Sequence, residues 1–257
     1  MTEKTVRSFE DLITILQEDR YCCGHVIFRG VKNRDHKLIP SVGRISKFQV
    51  CEIHELIAYE RSALGIFKQR AFSEIEKLPG NEWTWLALAQ HHGLPTRLLD
   101  WTYSPLIAAY FATEPSVSNQ GILNALDKNG GAIYALHDCN AFEMDNFDEN
   151  PFSIDSPQIV YAPVVTNRIS GQAGLFTVHP DPRKEFQEEF EDGLSESTST
   201  KWVDKLVFSK EVAEKIQKAL YFLGIRKGSI YPDLDGIASD AVIRHVFGDC
   251  HGLSRYR

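Results

Sequence analysis

Residues 86–112 constrain this chain more tightly than any other stretch. A helical run over 81–92 stops at Gly93, a residue type favoured just past a helix end. Ser104-Pro105 then opens a second helix, because serine caps well and proline suits the first helical turn. Leu106, Ala109, Tyr110 and Thr113 share one side of it. The polar residues Gln90, His91, Thr96, Arg97 and Asp100 are set among large apolar ones, so they are confined to two helix ends and their connecting loop. Arg97 and Asp100 stand three apart and can pair. If buried, such a pair is a structural tie as readily as part of a site.

Elsewhere the signals are local. Ser8 caps a first helix with Leu12, Ile13, Ile15 and Leu16 on its apolar side. His25-Val26-Ile27-Phe28 is a short strand ended by Gly30, and helical spacing returns over 51–71. Asn129-Gly130-Gly131 turns the chain into the strand Ala132-Ile133-Tyr134-Ala135-Leu136. Two further strands are expected over 159–162 and 205–208. The acidic, then Ser/Thr-rich stretch 184–200 reads as an exposed loop, or helix followed by loop. Ser209 caps a helix with Val212, Ile216, Ala219, Leu220 and Leu223 inward, closed by Gly224. The class is α+β: a single domain over 1–257, with a helix-rich first half around a small mixed or split β-sheet.

Composition narrows the partners. With 257 residues, 43% of them hydrophobic, there is material for one large core or two small ones. The formal charge of −7 denies the chain a broad positive field for a nucleic-acid backbone, although a local basic groove stays open. Met1-Thr2-Glu3-Lys4 leads into a mixed polar segment without the apolar run of a signal peptide, and no stretch is apolar enough to span a bilayer. The five cysteines form no Cys-x-x-Cys pair, as expected of reduced thiols in a cytoplasmic protein. No metal is expected: His91-His92 and Cys250-His251 are adjacent pairs, which rarely chelate one ion.

Three other segments can carry chemistry. In Phe28-Arg29-Gly30 an arginine leaves a strand beside a glycine; its planar fork matches phosphate or carboxylate, and the glycine lets a ligand or backbone come close. In 168–177 two glycines suggest a turn or close backbone approach, and Gln172 can hydrogen-bond a ligand or close that turn. In Ile230-Tyr231-Pro232-Asp233-Leu234-Asp235-Gly236 the carboxylates can bind a ribose, accept a proton or cap the next helix, the last being the default for Asp235.

Taken in order, the tripeptide, the central block Ala89-Gln90-His91-His92-Gly93-Leu94-Pro95-Thr96-Arg97-Leu98-Leu99-Asp100-Trp101-Thr102, the Arg168-Ile169 to Phe176 segment and the late Pro232 to Gly236 run resemble the FRG-domain family over about residues 25–240. His92 departs from that pattern, which often has an aromatic there. Phe28-Arg29-Gly30 alone also resembles the aromatic-Arg-Gly strand of Arg–Ser–Glu mono-ADP-ribosyltransferases. That resemblance implies an ADP-ribosyltransferase-like fold with NAD as substrate. It also implies a ligand-binding set of Arg29, Gly30, Thr96, Arg97, Gln172 and Phe176. No clear Gln/Glu-x-Glu triplet stands at the expected late strand, and Glu188-Glu189 belongs to an acidic run that reads as a solvated face. In its place the resemblance leaves Asp235 or Asp100 to stand beside the ribose, and His91 or Gln172 to bind nicotinamide or position an acceptor. The function so implied is NAD-dependent ADP-ribosylation of a protein or nucleic-acid acceptor, by a toxin or anti-phage effector paired with an antitoxin. The alternatives are a non-catalytic nucleotide or nucleic-acid-binding module, and a hydrolase or nuclease using Asp100, Asp233 or Asp235.

Overall fold

Side-chain caps set the helix starts. Ser8 accepts from the Asp11 N–H at 3.1 Å, Asn81 from Thr84 at 2.9 Å, Ser104 from Ile107 at 3.3 Å and Ser209 from Val212 at 3.4 Å. Past two of the helix ends Gly93 (φ +88°) and Gly224 (φ +85°) take the left-handed conformation that a glycine enters without strain. In the computed structural model, which describes residues 1–22, 24–75, 78–116, 126–137, 149–161, 174–186 and 203–248, these signals give eight helices. They are α1 (Phe9–Leu16), α2 (Asp19–Cys22), α3 (Ile53–Ala71), α4 (Glu82–His91), α5 (Pro105–Thr113), α6 (Lys210–Phe222), α7 (Lys227–Ile230) and α8 (Leu234–Gly248). None is long and apolar enough to cross a membrane. On α6 the buried side is Ala213, Ile216, Gln217, Leu220 and Tyr221, whereas Leu223, expected inward, is 61% exposed beyond the last turn.

The strands are β1 (Thr2–Thr5), β2 (Ile27–Val31), β3 (Leu98–Thr102), β4 (Ala132–Leu136), β5 (Gln158–Val160), β6 (Gly174–Val178) and β7 (Val203–Val207). They form one mixed sheet in the order β1-β7-β4-β2-β3-β6-β5, with only the β1–β7 pair parallel. The α+β class is the one expected, but the sheet is larger than the sequence suggested. Thr2–Thr5, a polar stretch, becomes an edge strand on β7. The expected connector between α4 and α5 contains β3. The two-glycine segment ends in β6. β2 runs on through Gly30 to Val31. Of the 184–200 loop, residues 187–200 lie outside the described residues.

The sheet has a weak joint. β2 pairs with β4 at five positions but meets β3 only at Phe28 opposite Thr102. On one face a single core crosses this joint, joining Ile27, Tyr134, Leu136 and Val203 to Leu99, Trp101, Leu175 and Ile159. On the other face the halves are covered separately: α1, α5 and α6 pack over Phe28, Ile133, Ala135 and Leu206, while α3 and α4 pack over Leu98, Phe176 and Val178.

A buried carboxylate ties α2 to the sheet. Asp204 on β7 is fully buried, accepts from Tyr21 Oη at 2.8 Å and lies 3.0 Å from His137 Nε2 and 2.7 Å from Arg20. Burial by itself would raise its pKa. The His137 and Tyr21 hydrogen bonds and the Arg20 charge outweigh that and hold it below the ordinary value of 3.8. A carboxylate so depressed contributes stability that is complete above its unfolded pKa and is lost as pH falls through the lower folded value. Asp204→Asn is therefore expected to cost about 3 kcal/mol at neutral pH. The gap between variant and wild type should shrink below pH 3.8. Urea denaturation at pH 7 and pH 3 measures it, and an equal gap at both would refute the assignment.

Candidate functional site

The three residues of Phe28-Arg29-Gly30 are separated by strand alternation. Phe28 is buried against α5 and α6, and Gly30 points the same way, onto α5. A Cβ on Gly30 would sit 1.9 Å from the Ala108 carbonyl oxygen and 2.6 Å from the Ala112 nitrogen. The expected close approach is thus made by a helix backbone. Arg29 alternates away from α5, and its guanidinium reaches across the joint to the Asp100 carbonyl, with Asp100 Oδ2 at 3.5 Å.

Beyond Phe28 and Thr102 the parted strands bound a cavity of about 440 Å³. Arg29, Gly30, Val31 and Lys32 line it from β2 and the residues following; Asp100, Trp101 and Thr102 line it from β3; Gly174, Leu175 and Phe176 from β6. Gln90 and His91 close it at the end of α4, and Phe111, Glu114 and Tyr231 at the far side. The volume suits a drug- to nucleotide-sized ligand. Arg29's side chain is only 17% exposed, and that burial pushes its pKa down. Asp100 opposes the shift, and the like charge of Arg44 adds to it. An anion in the cavity would offset the desolvation of Arg29.

Asp100 is held by a polar relay. Gln90 Nε2 donates to its Oδ1 at 2.6 Å, Thr96 Oγ1 donates to Gln90 Oε1, and the Leu98 N–H donates to Thr96 Oγ1 at 3.2 Å. The carboxylate is thereby aimed while its side chain stays 59% exposed. Glu114, at the other end, would be raised by burial, but Lys227 at 2.8 Å and Lys32 at 2.9 Å hold it below its ordinary value.

The sequence-predicted residues divide accordingly. Arg29, Gly30, Asp100, His91 and Phe176 come together at the cavity. Thr96 is buried behind it and acts through Gln90. Arg97 does not pair with Asp100: it stands at a bend just before β3, outside the strand that carries Asp100, and turns to α3 instead. It is fully buried and forks onto Glu60 (Nη2–Oε2 2.6 Å, Nε–Oε1 3.2 Å), with Phe152 5.1 Å from its guanidinium carbon. Asp235 lies exposed in the first turn of α8, off the cavity. The cap expected of it is Asp233, which accepts from the Gly236 N–H at 2.7 Å. That same segment delivers a residue not foreseen. A Cβ on Gly236 would meet the Tyr231 carbonyl oxygen at 1.9 Å, so α8 starts tight against Tyr231 and helps fix it at the cavity rim. Gln172 lies outside the described residues. His36, Arg44, Lys32, Phe111 and Glu114 were also missed. Arg44 follows Ser41-Val42-Gly43, and Lys32 and His36 flank Asn33-Arg34-Asp35, turn signals that could have marked them. Among the described residues no group of three or more His, Cys, Asp or Glu is arranged to hold a metal ion.

Two variants separate scaffold from site. Arg97→Leu strands Glu60 in the core and is expected to cost about 3–5 kcal/mol, read by chemical denaturation. Gly30→Ala forces α5 off β2 and should cost about 3 kcal/mol, the upper end for overpacking. A Gly30→Ala protein as stable as wild type would mean that α5 does not depend on this contact.

No curated protein and no solved structure matches the chain. Compared with known families, the match is a stretch shorter than half the chain, which ends before the Gly174–Val178 and Tyr231–Gly236 segments. Residues 24–120, which hold the Phe28-Arg29-Gly30 strand, the Gln90–Asp100 relay and α5, match the FRG domain.

Proposed function

We propose that the cavity binds NAD and that the protein transfers its ADP-ribose to a macromolecular acceptor, protein or nucleic acid. The observation that carries this reading is the meeting of Arg29 and Asp100 at one cavity where β2 and β3 part, with Asp100 aimed by Gln90. Arg29 holds a phosphate with its guanidinium fork. Asp100 stands by the nicotinamide ribose and stabilises positive charge as the glycosidic C–N bond breaks. The bonding pair leaves with nicotinamide, and an acceptor atom bonds to the ribose carbon. The acceptor's proton passes to a base, for which His91 on the cavity wall is the candidate. Phe176 and Trp101, largely buried in the cores behind the cavity, make that wall apolar on the side where the rings of the ligand would lie. A toxin or anti-phage effector kept in check by an antitoxin would use such a reaction.

The test is incubation with NAD labelled in its adenylate part, with cell lysate as acceptor. Nicotinamide release and label on macromolecules are read together. Asp100→Asn is expected to lower nicotinamide release about 100-fold while NAD still binds, and Asp235→Asn to leave it unchanged. Wild-type turnover by Asp100→Asn would overturn the catalytic role. Binding of NAD by the wild-type protein with no nicotinamide released would make it a non-catalytic nucleotide-binding module.

A further inference from the structure

A second cavity, of about 210 Å³, adjoins the first, and the two share Arg29, Arg44, Gln90 and Asp100. Ser41, Leu94 and Pro95 line its other side. The shared boundary therefore carries two arginines and one carboxylate. Asp100 is already engaged, by Gln90 on one oxygen and Arg29 near the other. Arg44 has no carboxylate within ion-pair distance among the described residues, and its side chain is exposed.

The backbone beneath Arg44 is held from several directions. The Val42 N–H donates to the Thr96 carbonyl at 3.2 Å, and Ser41 Oγ accepts from the Thr96 N–H at 3.0 Å. Gln49 Nε2 donates to the Gly43 carbonyl. Gly43 lies so close to Pro182 that a Cβ would fall 1.7 Å from its carbonyl oxygen. Arg44 is thus a guanidinium on a fixed base, at the boundary of two cavities, beside a second and largely buried guanidinium. A single phosphate is met by one fork, whereas two linked phosphates engage both.

We infer that Arg44 and Arg29 form a two-arginine clamp for a diphosphate, and that the two cavities receive the two halves of one diphosphate-bridged ligand. This deepens the NAD reading of the same site and assigns Arg44 as the residue that selects diphosphates over monophosphates. A ligand seated in this way places its charged centre at the shared wall and one organic group on either side. A mononucleotide fills one cavity and leaves Arg44 unused.

Isothermal calorimetry with ADP-ribose, ADP and AMP tests it without requiring turnover. ADP is expected to bind about tenfold tighter than AMP, and ADP-ribose tighter still. Arg44→Ala should remove the advantage of ADP over AMP while AMP affinity stays within about twofold, and Arg44→Lys should restore only part of it. The melting temperature checks that both variants fold. Equal affinity of ADP and AMP for the wild type, retention of the ADP preference by Arg44→Ala, or no binding of any of the three overturns the inference. Diphosphate preference with no nicotinamide release from NAD leaves the clamp standing and removes the transferase reading. Nicotinamide release without diphosphate preference does the reverse.

Discussion

The contact of α5 with β2 at Gly30 is the constraint on which the rest of the site depends. The helix backbone occupies the space that any side chain at this position would need. This lets α5, which buries Ala108, Ala109 and Ala112 on this side, lie directly on the strand. Because a strand alternates, placing Phe28 and Gly30 under the helix turns Arg29 the other way. The position of the arginine thus follows from the packing of its neighbours. The same docking carries Phe111 and Glu114, near the end of α5, to the far side of the cavity.

A second consequence comes from the sheet. Its two halves share one core on one face and separate helical layers on the other, and β2 and β3 are joined by a single residue pair. A continuous ladder at that place would have filled the cavity with strand pairing. The parted ladder leaves backbone groups of both strands facing a space, and the Arg29 guanidinium answers one of them, the Asp100 carbonyl. The buried pair Arg97–Glu60 secures α3 beside β3 on one flank, and Asp204 with Tyr21, His137 and Arg20 secures α2 on the other. Such buried charges are costly to desolvate and contribute chiefly by being very unfavourable to break.

The electrostatics of the site run against those of the chain. A formal charge of −7 describes the surface as a whole. Yet the cavity gathers Arg29, Arg44 and Lys32, with Asp100 and Glu114 as the acidic groups, and Glu114 is already matched by two lysines. A local surplus of cation lining a cleft acts on a ligand more strongly than distant surface charge, which salt screens. An anionic ligand is therefore compatible with an acidic protein.

What the sequence determined by itself was local. Ser8, Ser104 and Ser209 named their helix starts, and Gly93 and Gly224 two helix ends, because capping is satisfied within a few residues. Phe28-Arg29-Gly30 and Gln90 to Asp100 pointed to residues that do meet at one cavity. Only the tertiary structure decided the rest. β3 and β1 were hidden, since a five-residue strand and a polar edge strand exist through partners distant in the chain. Arg97 and Asp100, alike as polar residues in an apolar block, were parted by their tertiary partners into a core tie to α3 and a cavity group. Arg44, Glu114 and Tyr231 reached the site from separate loops and helix ends, and Asp235 stayed outside it while Asp233 took the cap. Short-range hydrogen bonds can be read along a chain, whereas a cavity is the space left by packing elements far apart in sequence.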